Sequence, residues 1–218
     1  MPKPKSRDKV VEALLALAAE RPFEEVTLTA LAKRAGLTLA DIRETYDGRL
    51  SVLADYIRQV DERVLGGIDP ALASEGPRER LFDILFARLE AHAPHKAAIK
   101  SIVRASRRDP LMALELNRIV TTSMAWMLAG AGISSTGGRG LFRAQGLAFV
   151  WARVLRVWLH DDEPGLAPTM AALDKRLRGA ERMVIRMQRL ERCLPRRRST
   201  SRHRDASADG DIAEGHPT

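Results

Sequence analysis

The segment Thr27-Leu-Thr-Ala-Leu-Ala-Lys-Arg-Ala-Gly36-Leu-Thr38-Leu-Ala-Asp41-Ile-Arg-Glu-Thr-Tyr46 reads as two short helices around a glycine turn. Thr27 precedes an apolar stripe of Leu28, Leu31 and Ala35. Its hydroxyl is placed to accept from one of the N–H groups that a helix start leaves unpaired. Gly36 suits the left-handed conformation that ends a helix. Thr38 and Asp41, three residues apart, form a capping-box-like pair that opens the next helix. Leu39, Ile42 and Tyr46 then follow at i, i+3 and i+7 and are expected to face inward. Helix, glycine turn, helix is the arrangement that lays its second helix in a DNA major groove.

The flanks fit one three-helix unit. Residues 7–20 predict an amphipathic helix with Val10, Val11, Leu14, Leu17 and Ala18 on one face, broken by Pro22-Phe23. Asp47-Gly48-Arg49 leads into a helix carrying Leu50, Leu53, Ala54 and Ile57. This layout resembles the N-terminal DNA-binding domain of the TetR family of bacterial repressors. Thr27, Leu31, Ala32, Ala35, Gly36, Leu37, Thr38, Ile42, Tyr46 and Arg49 match that family's pattern in position and type, over about the first quarter of the chain. The resemblance implies DNA contacts from Thr27, Lys33, Thr38, Leu39, Ala40, Arg43, Glu44 and Arg49. The chain departs from the pattern at Arg43, where the family has an aromatic residue, and at Asp41 and Glu44, which add acids. Arg43 suits guanine or a phosphate. The two acids oppose a polyanion unless they cap, pair with Arg43, or accept from cytosine.

The 218 residues carry a formal charge of +8 with pI about 10.2, which favours an acidic partner. That charge divides as +1 over residues 1–49, +6 over 50–194 and +1 over 195–218. The excess therefore lies outside the expected reading head, whose cations are an N-terminal arm of Lys3, Lys5, Arg7 and Lys9 and the helix-ending Lys33 and Arg34. A single cysteine, Cys193, beside Arg189, Arg192 and Arg196, excludes an intrachain disulfide framework and suits a cytoplasmic protein. No apolar segment reads as a secretory leader, and the densest apolar run, 146–152, is too short to cross a bilayer.

Beyond the head, helices are expected over 50–66, from 77, from 94 to 109, over 111–128, over 141–159 and over 167–193, with a glycine-rich loop at 130–140. No segment alternates as a strand does, so the fold class is all-α. It comprises a three-helix helix-turn-helix domain, residues 1–49, and a helical ligand-binding and dimerisation domain, residues 50–194. The tail 195–218 lacks apolar residues to bury and is expected to be disordered. Residues 141–159 are apolar nearly all round, including Phe142, Phe149, Trp151 and Trp158. Met170, Leu173, Leu177, Ala180, Val184 and Met187 recur at 3-4 spacing, the seam of packed helices. The resemblance implies that residues 141–193 pair two subunits into a homodimer, which would read a palindromic site on double-stranded DNA. It also implies a cavity for a small apolar effector within 50–128. Phe82, Phe86, Met112, Leu116, Ile119, Met124, Trp126 and Met127 are the candidate lining.

Enzymatic constellations are missing from the pattern. His92 and His95 flank Pro94 and do not share a helix face, the 130–140 loop lacks the Lys-Ser/Thr ending of a phosphate loop, and His160-Asp-Asp-Glu163 reads as a solvated helix stop. The expected function is a non-enzymatic transcriptional regulator with no cofactor or metal, a repressor released by its effector. The alternative is a lipid-binding accessory protein without DNA binding. The C-terminal part more loosely resembles ubiquinone-biosynthesis lipid carriers, over 80–89, 91–95, 125–131 and 151–162. Against that reading, no segment after Pro195 predicts a membrane-binding helix.

Overall fold

The computed structural model describes residues 4–193. Lys3 and the tail 195–218 lie outside the described residues, as do the side chains of Lys5, Met187, Arg189, Arg192 and Cys193. The helices among the described residues are α1 (Pro4–Glu20), α2 (Leu28–Ala35), α3 (Leu39–Arg43), α4 (Arg49–Gly66), α5 (Pro77–His92), α6 (Lys96–Ser106), α7 (Pro110–Gly130), α8 (Gly137–Trp158) and α9 (Ala167–Cys193). Short 3-10 turns fill Phe23–Glu25, Pro70–Ser74 and Ala93–His95, and there is no strand among the described residues.

Each helix is set by one apolar face. In α1, Val10, Val11, Leu14, Leu17 and Ala18 are buried as the periodicity predicts. Phe23, in the turn after α1, is buried, worth about 1.5–3 kcal/mol relative to exposure. In α6, Ala98, Ile99, Ile102 and Ala105 turn inward. Asp109 starts α7, its Oδ1 accepting from the N–H groups of Leu111 and Met112 at 3.0 Å, with Pro110 where no N–H is needed. The glycine-rich loop is shorter than expected, because α8 begins inside it at Gly137. Gly140 is required there: a Cβ on it would lie 2.0 Å from the Ser135 carbonyl carbon.

The helix α4 joins head to body. It packs on α1 as well as on α5 and α7, while α6 crosses the body to lie against α1. A buried polar network ties α4 to the interior. Arg88 donates to Asp61 and to Ser123 Oγ (2.6 Å), Ser123 donates to Asp61 (2.9 Å), and the guanidinium sits 5.1 Å over the Trp151 ring. Beside it Tyr56 Oη and His92 Nδ1 share a hydrogen bond of 2.7 Å. Burial favours the neutral forms, pushing the Asp61 carboxyl up and the His92 imidazole well below its usual value.

The last helices divide between interior and surface. Leu173 and Leu177 are buried within the single chain, where α9 packs on α8 and α5, while Met170, Ala180 and Val184 of the same stripe are half-buried. Trp151 and Trp158 are likewise core residues of one chain. The large apolar side chains α8 leaves outside are Leu141, Phe142 and Phe149, the two phenylalanines being 59% and 61% exposed. The 160–163 segment is more than a solvated stop. Asp161 is buried and accepts from Thr169 N (3.0 Å), Thr169 Oγ1 and Glu163 N (3.2 Å), bonds that cap α9 and hold its carboxyl below the usual range.

Candidate nucleic-acid interface

The reading head is shaped by its caps. Thr27 Oγ1 accepts from Ala30 N at 3.1 Å and opens α2. Gly36 ends it in the left-handed region, φ 67° and ψ 36°, its N–H bonding back to the helix. Thr38 then restarts the chain. Its Oγ1 accepts from Asp41 N at 3.1 Å, while Asp41 Oδ2 accepts from Thr38 N at 2.8 Å and from the Thr38 hydroxyl at 2.7 Å. The box is complete, and those bonds hold the Asp41 carboxyl below its ordinary value. Asp41 is therefore a structural acid: its charge sits where the α3 N-terminus favours a negative group.

Ile42 and Tyr46 are buried beneath α3. Leu39 is not the inward residue that its spacing predicts. It is 50% exposed, because α3 spans only Leu39–Arg43 and Ile42 and Tyr46 fill the floor beneath it. Thr38, Leu39, Ala40, Arg43 and Glu44 are all exposed, with Thr27 and Lys33 exposed on α2. Arg43, with its side chain 71% exposed, pairs with Asp47 one turn on. An exposed pair of this kind is worth about 0–1 kcal/mol and does not prevent a stronger partner from taking the guanidinium.

Arg49 is a different case. Its Nη1 donates to the carbonyls of Phe23 (2.6 Å) and Val26 (2.8 Å), and its guanidinium stands 5.0 Å from the centre of the Phe23 ring. It fastens the α1–α2 connection to the start of α4 through Nη1, a structural role beside the DNA contact expected of it. Arg7 is also committed. It donates to both Asp55 oxygens, at 3.2 and 2.7 Å, instead of serving as part of a free N-terminal arm. Arg34 makes a two-point pair with Glu20, at 2.8 and 2.6 Å.

The sequence reading missed Asp55. This buried carboxylate receives Arg7 from α1, Arg58 from its own helix and the Tyr46 hydroxyl from the end of the α3 segment. Burial and the neighbouring carboxylate push the Tyr46 phenol up to about 12. The signal was an acid on the apolar face of the 50–66 helix, beside Ala54 and Tyr56.

Solved structures resemble this arrangement. A TetR transcriptional regulator from Nitrosomonas europaea aligns at a TM-score of 0.63 and 18% identity, over 80% of this chain and 97% of the other. The chain has the TetR fold. A TetR regulator from Rhodococcus sp. RHA1 aligns at 0.58 and 19% identity, over 81% and 95% of the two chains. FadR of Thermus thermophilus, a TetR-family transcriptional repressor solved in complex with lauroyl-CoA, aligns at 0.51 and 22% identity, over 94% and 100%. No family model matches the chain. No curated protein matches it.

Within the TetR fold the expected effector lining is divided. Met124 and Met127 are fully buried, Met112 and Ile119 nearly so, and Leu116 is half-buried. Trp126 is corrected: it stands 60% exposed on the outer face of α7 and lines no interior of this chain. Phe82 and Phe86 are half-buried with parallel rings, centroids 6.3 Å apart. Phe82 alone of the eight lines an open cleft of about 430 Å³ between α5, α9 and the Pro70–Ser74 turn. Its other walls include Arg78, Glu79 and Asp174, already joined by ion pairs. Among the described residues no group of His, Cys, Asp and Glu is placed to hold a metal ion, and no helix is long and apolar enough to cross a membrane.

Proposed function

We propose that this protein is a DNA-binding transcriptional regulator that acts as a homodimeric repressor and is released by a small apolar effector. The observation that carries the reading is the head itself. A fully capped α3 presents Thr38, Leu39, Ala40, Arg43 and Glu44 outward, and a buried carboxylate holds it from behind. A surface of that shape matches a major groove, with Arg43 able to donate to a guanine edge. Two heads related by a two-fold axis supply the area that a specific site needs. The exposed Leu141, Phe142 and Phe149 of α8 support pairing of two chains. The Thermus repressor's complex with lauroyl-CoA supports an effector with an apolar chain. An effector favouring a head separation that misfits DNA lowers affinity by that difference in binding.

The test is fluorescence anisotropy of the purified protein on labelled DNA from upstream of its own gene, against a random-sequence duplex, across a salt series. A specific complex that weakens with salt supports the reading. Equal affinity for both duplexes, or none, removes it in favour of a TetR-fold protein that does not read DNA.

A further inference from the structure

The sequence places most of the positive charge outside the head, and the structure brings part of it back. From residue 96 to 108 the chain carries Lys96, Lys100, Arg104, Arg107 and Arg108 and no acid. Lys100 and Arg104 of α6 and Arg107 at its C-cap, at i, i+4 and i+7, lie on the side opposite the buried Ala98, Ile99, Ile102 and Ala105. All three are exposed, and no carboxylate among the described residues pairs with them.

The helix that carries this ridge packs on the head through its opposite, buried face. α6 packs on α1 and on the Phe23–Glu25 turn. Ser101 Oγ donates to the Arg21 carbonyl at 3.2 Å, and Arg108 pairs with Glu24 at 3.1 Å. Glu24 is three residues before Thr27, so their α-carbons are at most about 11 Å apart. The end of α6 therefore lies beside the connection that leads to the exposed N-terminus of α2, and Arg21, whose carbonyl Ser101 reaches, is exposed in that connection. Of the two acids in that turn, Glu24 pairs with Arg108, leaving Glu25 against Lys100, Arg104 and Arg107, while Arg21 stands next to Glu20, which Arg34 already holds.

We propose that Lys100, Arg104 and Arg107, with Arg21 beside them, form a second DNA-binding surface that takes backbone phosphates flanking the site read by α3. This rests on the DNA-binding reading above and adds to it a footprint beyond the helix-turn-helix. Its physical logic is charge. A head of net charge +1 is a weak match for a polymer carrying one negative charge per roughly 1.7 Å. Three further phosphate contacts supply the missing electrostatic term without sequence preference.

The test compares the wild type with the triple variant Lys100→Ser, Arg104→Ser, Arg107→Ser on a random-sequence duplex and on the promoter duplex. A control variant, Arg196→Ser, Arg197→Ser, Arg198→Ser, removes equal charge outside both the helix-turn-helix and the expected dimer segment 141–193. The ridge variant should lower the salt slope by about 2–3 per bound protomer on both duplexes, at about 0.9 per phosphate lost. It should lower affinity at least tenfold in low salt and keep the ratio between duplexes. The control should leave both unchanged. Equal loss in the two variants assigns the effect to net charge and overturns the proposal, as does an unchanged slope in the ridge variant. Phosphatidylglycerol vesicles form the last arm: loss of vesicle binding with DNA binding intact assigns the ridge to an anionic membrane instead. A wild type that binds both duplexes equally, with a ridge-dependent slope, sinks the operator reading and keeps this one. A wild type that binds neither sinks both.

Discussion

The Arg7 guanidinium grips both oxygens of the buried Asp55 carboxylate, 48 residues away in sequence, and the Tyr46 hydroxyl closes on the same carboxylate. One acid thus fixes the start of α1, the end of the α3 segment and the first half of α4. Asp55→Ala removes the common acceptor. Arg7 and Arg58 are partly exposed and regain water, but the Tyr46 hydroxyl is left inside. The expected cost is about 2–3 kcal/mol, below that of a pair whose remaining charge stays buried. Urea unfolding measures it. A change under about 0.5 kcal/mol, the range of ordinary surface substitutions, would falsify the hub role.

His92 gives stability a pH dependence near neutrality. Burial and the nearby Arg88 hold its folded-state pKa well below the ordinary 6.5, and His95 is lowered in the same direction. As pH falls through about 6.5 the unfolded chain takes up protons that the folded chain refuses. Stability therefore declines from about pH 7 downward, by at most about 1.4 kcal/mol per pH unit for each group. His92→Gln, which keeps a polar partner for Tyr56, should flatten that slope relative to wild type in urea titrations at pH 7.5 and pH 5.5. Parallel curves for the two proteins at both pH values would remove His92 as the cause.

Local signals made the head legible. Thr27, Gly36, Thr38 and Asp41 act through groups at most five residues away, so spacing alone predicts the two helices and their caps. Arg49, Arg7 and Asp55 act across 23 to 48 residues, and no local pattern says whether a cation faces DNA or a carbonyl. The same limit applies to α9. A 3-4 stripe predicts packing, but Leu173 and Leu177 carry no mark that tells a neighbouring helix of the same chain from a second chain. Trp126 shows the converse. An aromatic in an apolar run of α7 reads as interior, and only the helix phase set by buried Met124 and Met127 turns it outward.

The exposed face of α8 predicts how dimerisation fails. Phe142 and Phe149, seven residues apart, lie on one side of the helix and are uncovered in the single chain. Phe142→Glu with Phe149→Glu should give a folded monomer by light scattering at micromolar concentration, with the wild type at twice that mass. Trp151→Glu should instead unfold the chain, because that ring is buried against Arg88 and His92. A double variant that keeps the wild-type mass shows that this face is not the interface.

Arg43 and Lys33 separate sequence reading from simple attraction. Arg43 is exposed on α3 and held only by Asp47, whereas Lys33 is exposed at the end of α2. Arg43→Ala should cost about 1–3 kcal/mol on the promoter site and little on a random duplex, as expected for a two-point bond to guanine. Lys33→Ala should weaken both duplexes alike and lower the salt slope by about one. Thr38→Ala tests the platform beneath them. It removes the α3 cap and should cost about 1 kcal/mol of stability in addition to any loss of affinity. Anisotropy titrations of the three variants on both duplexes, with unfolding curves alongside, distinguish the roles. If Arg43→Ala lowers both affinities by the same factor, Arg43 binds phosphate, and sequence is read by other residues of the α3 face.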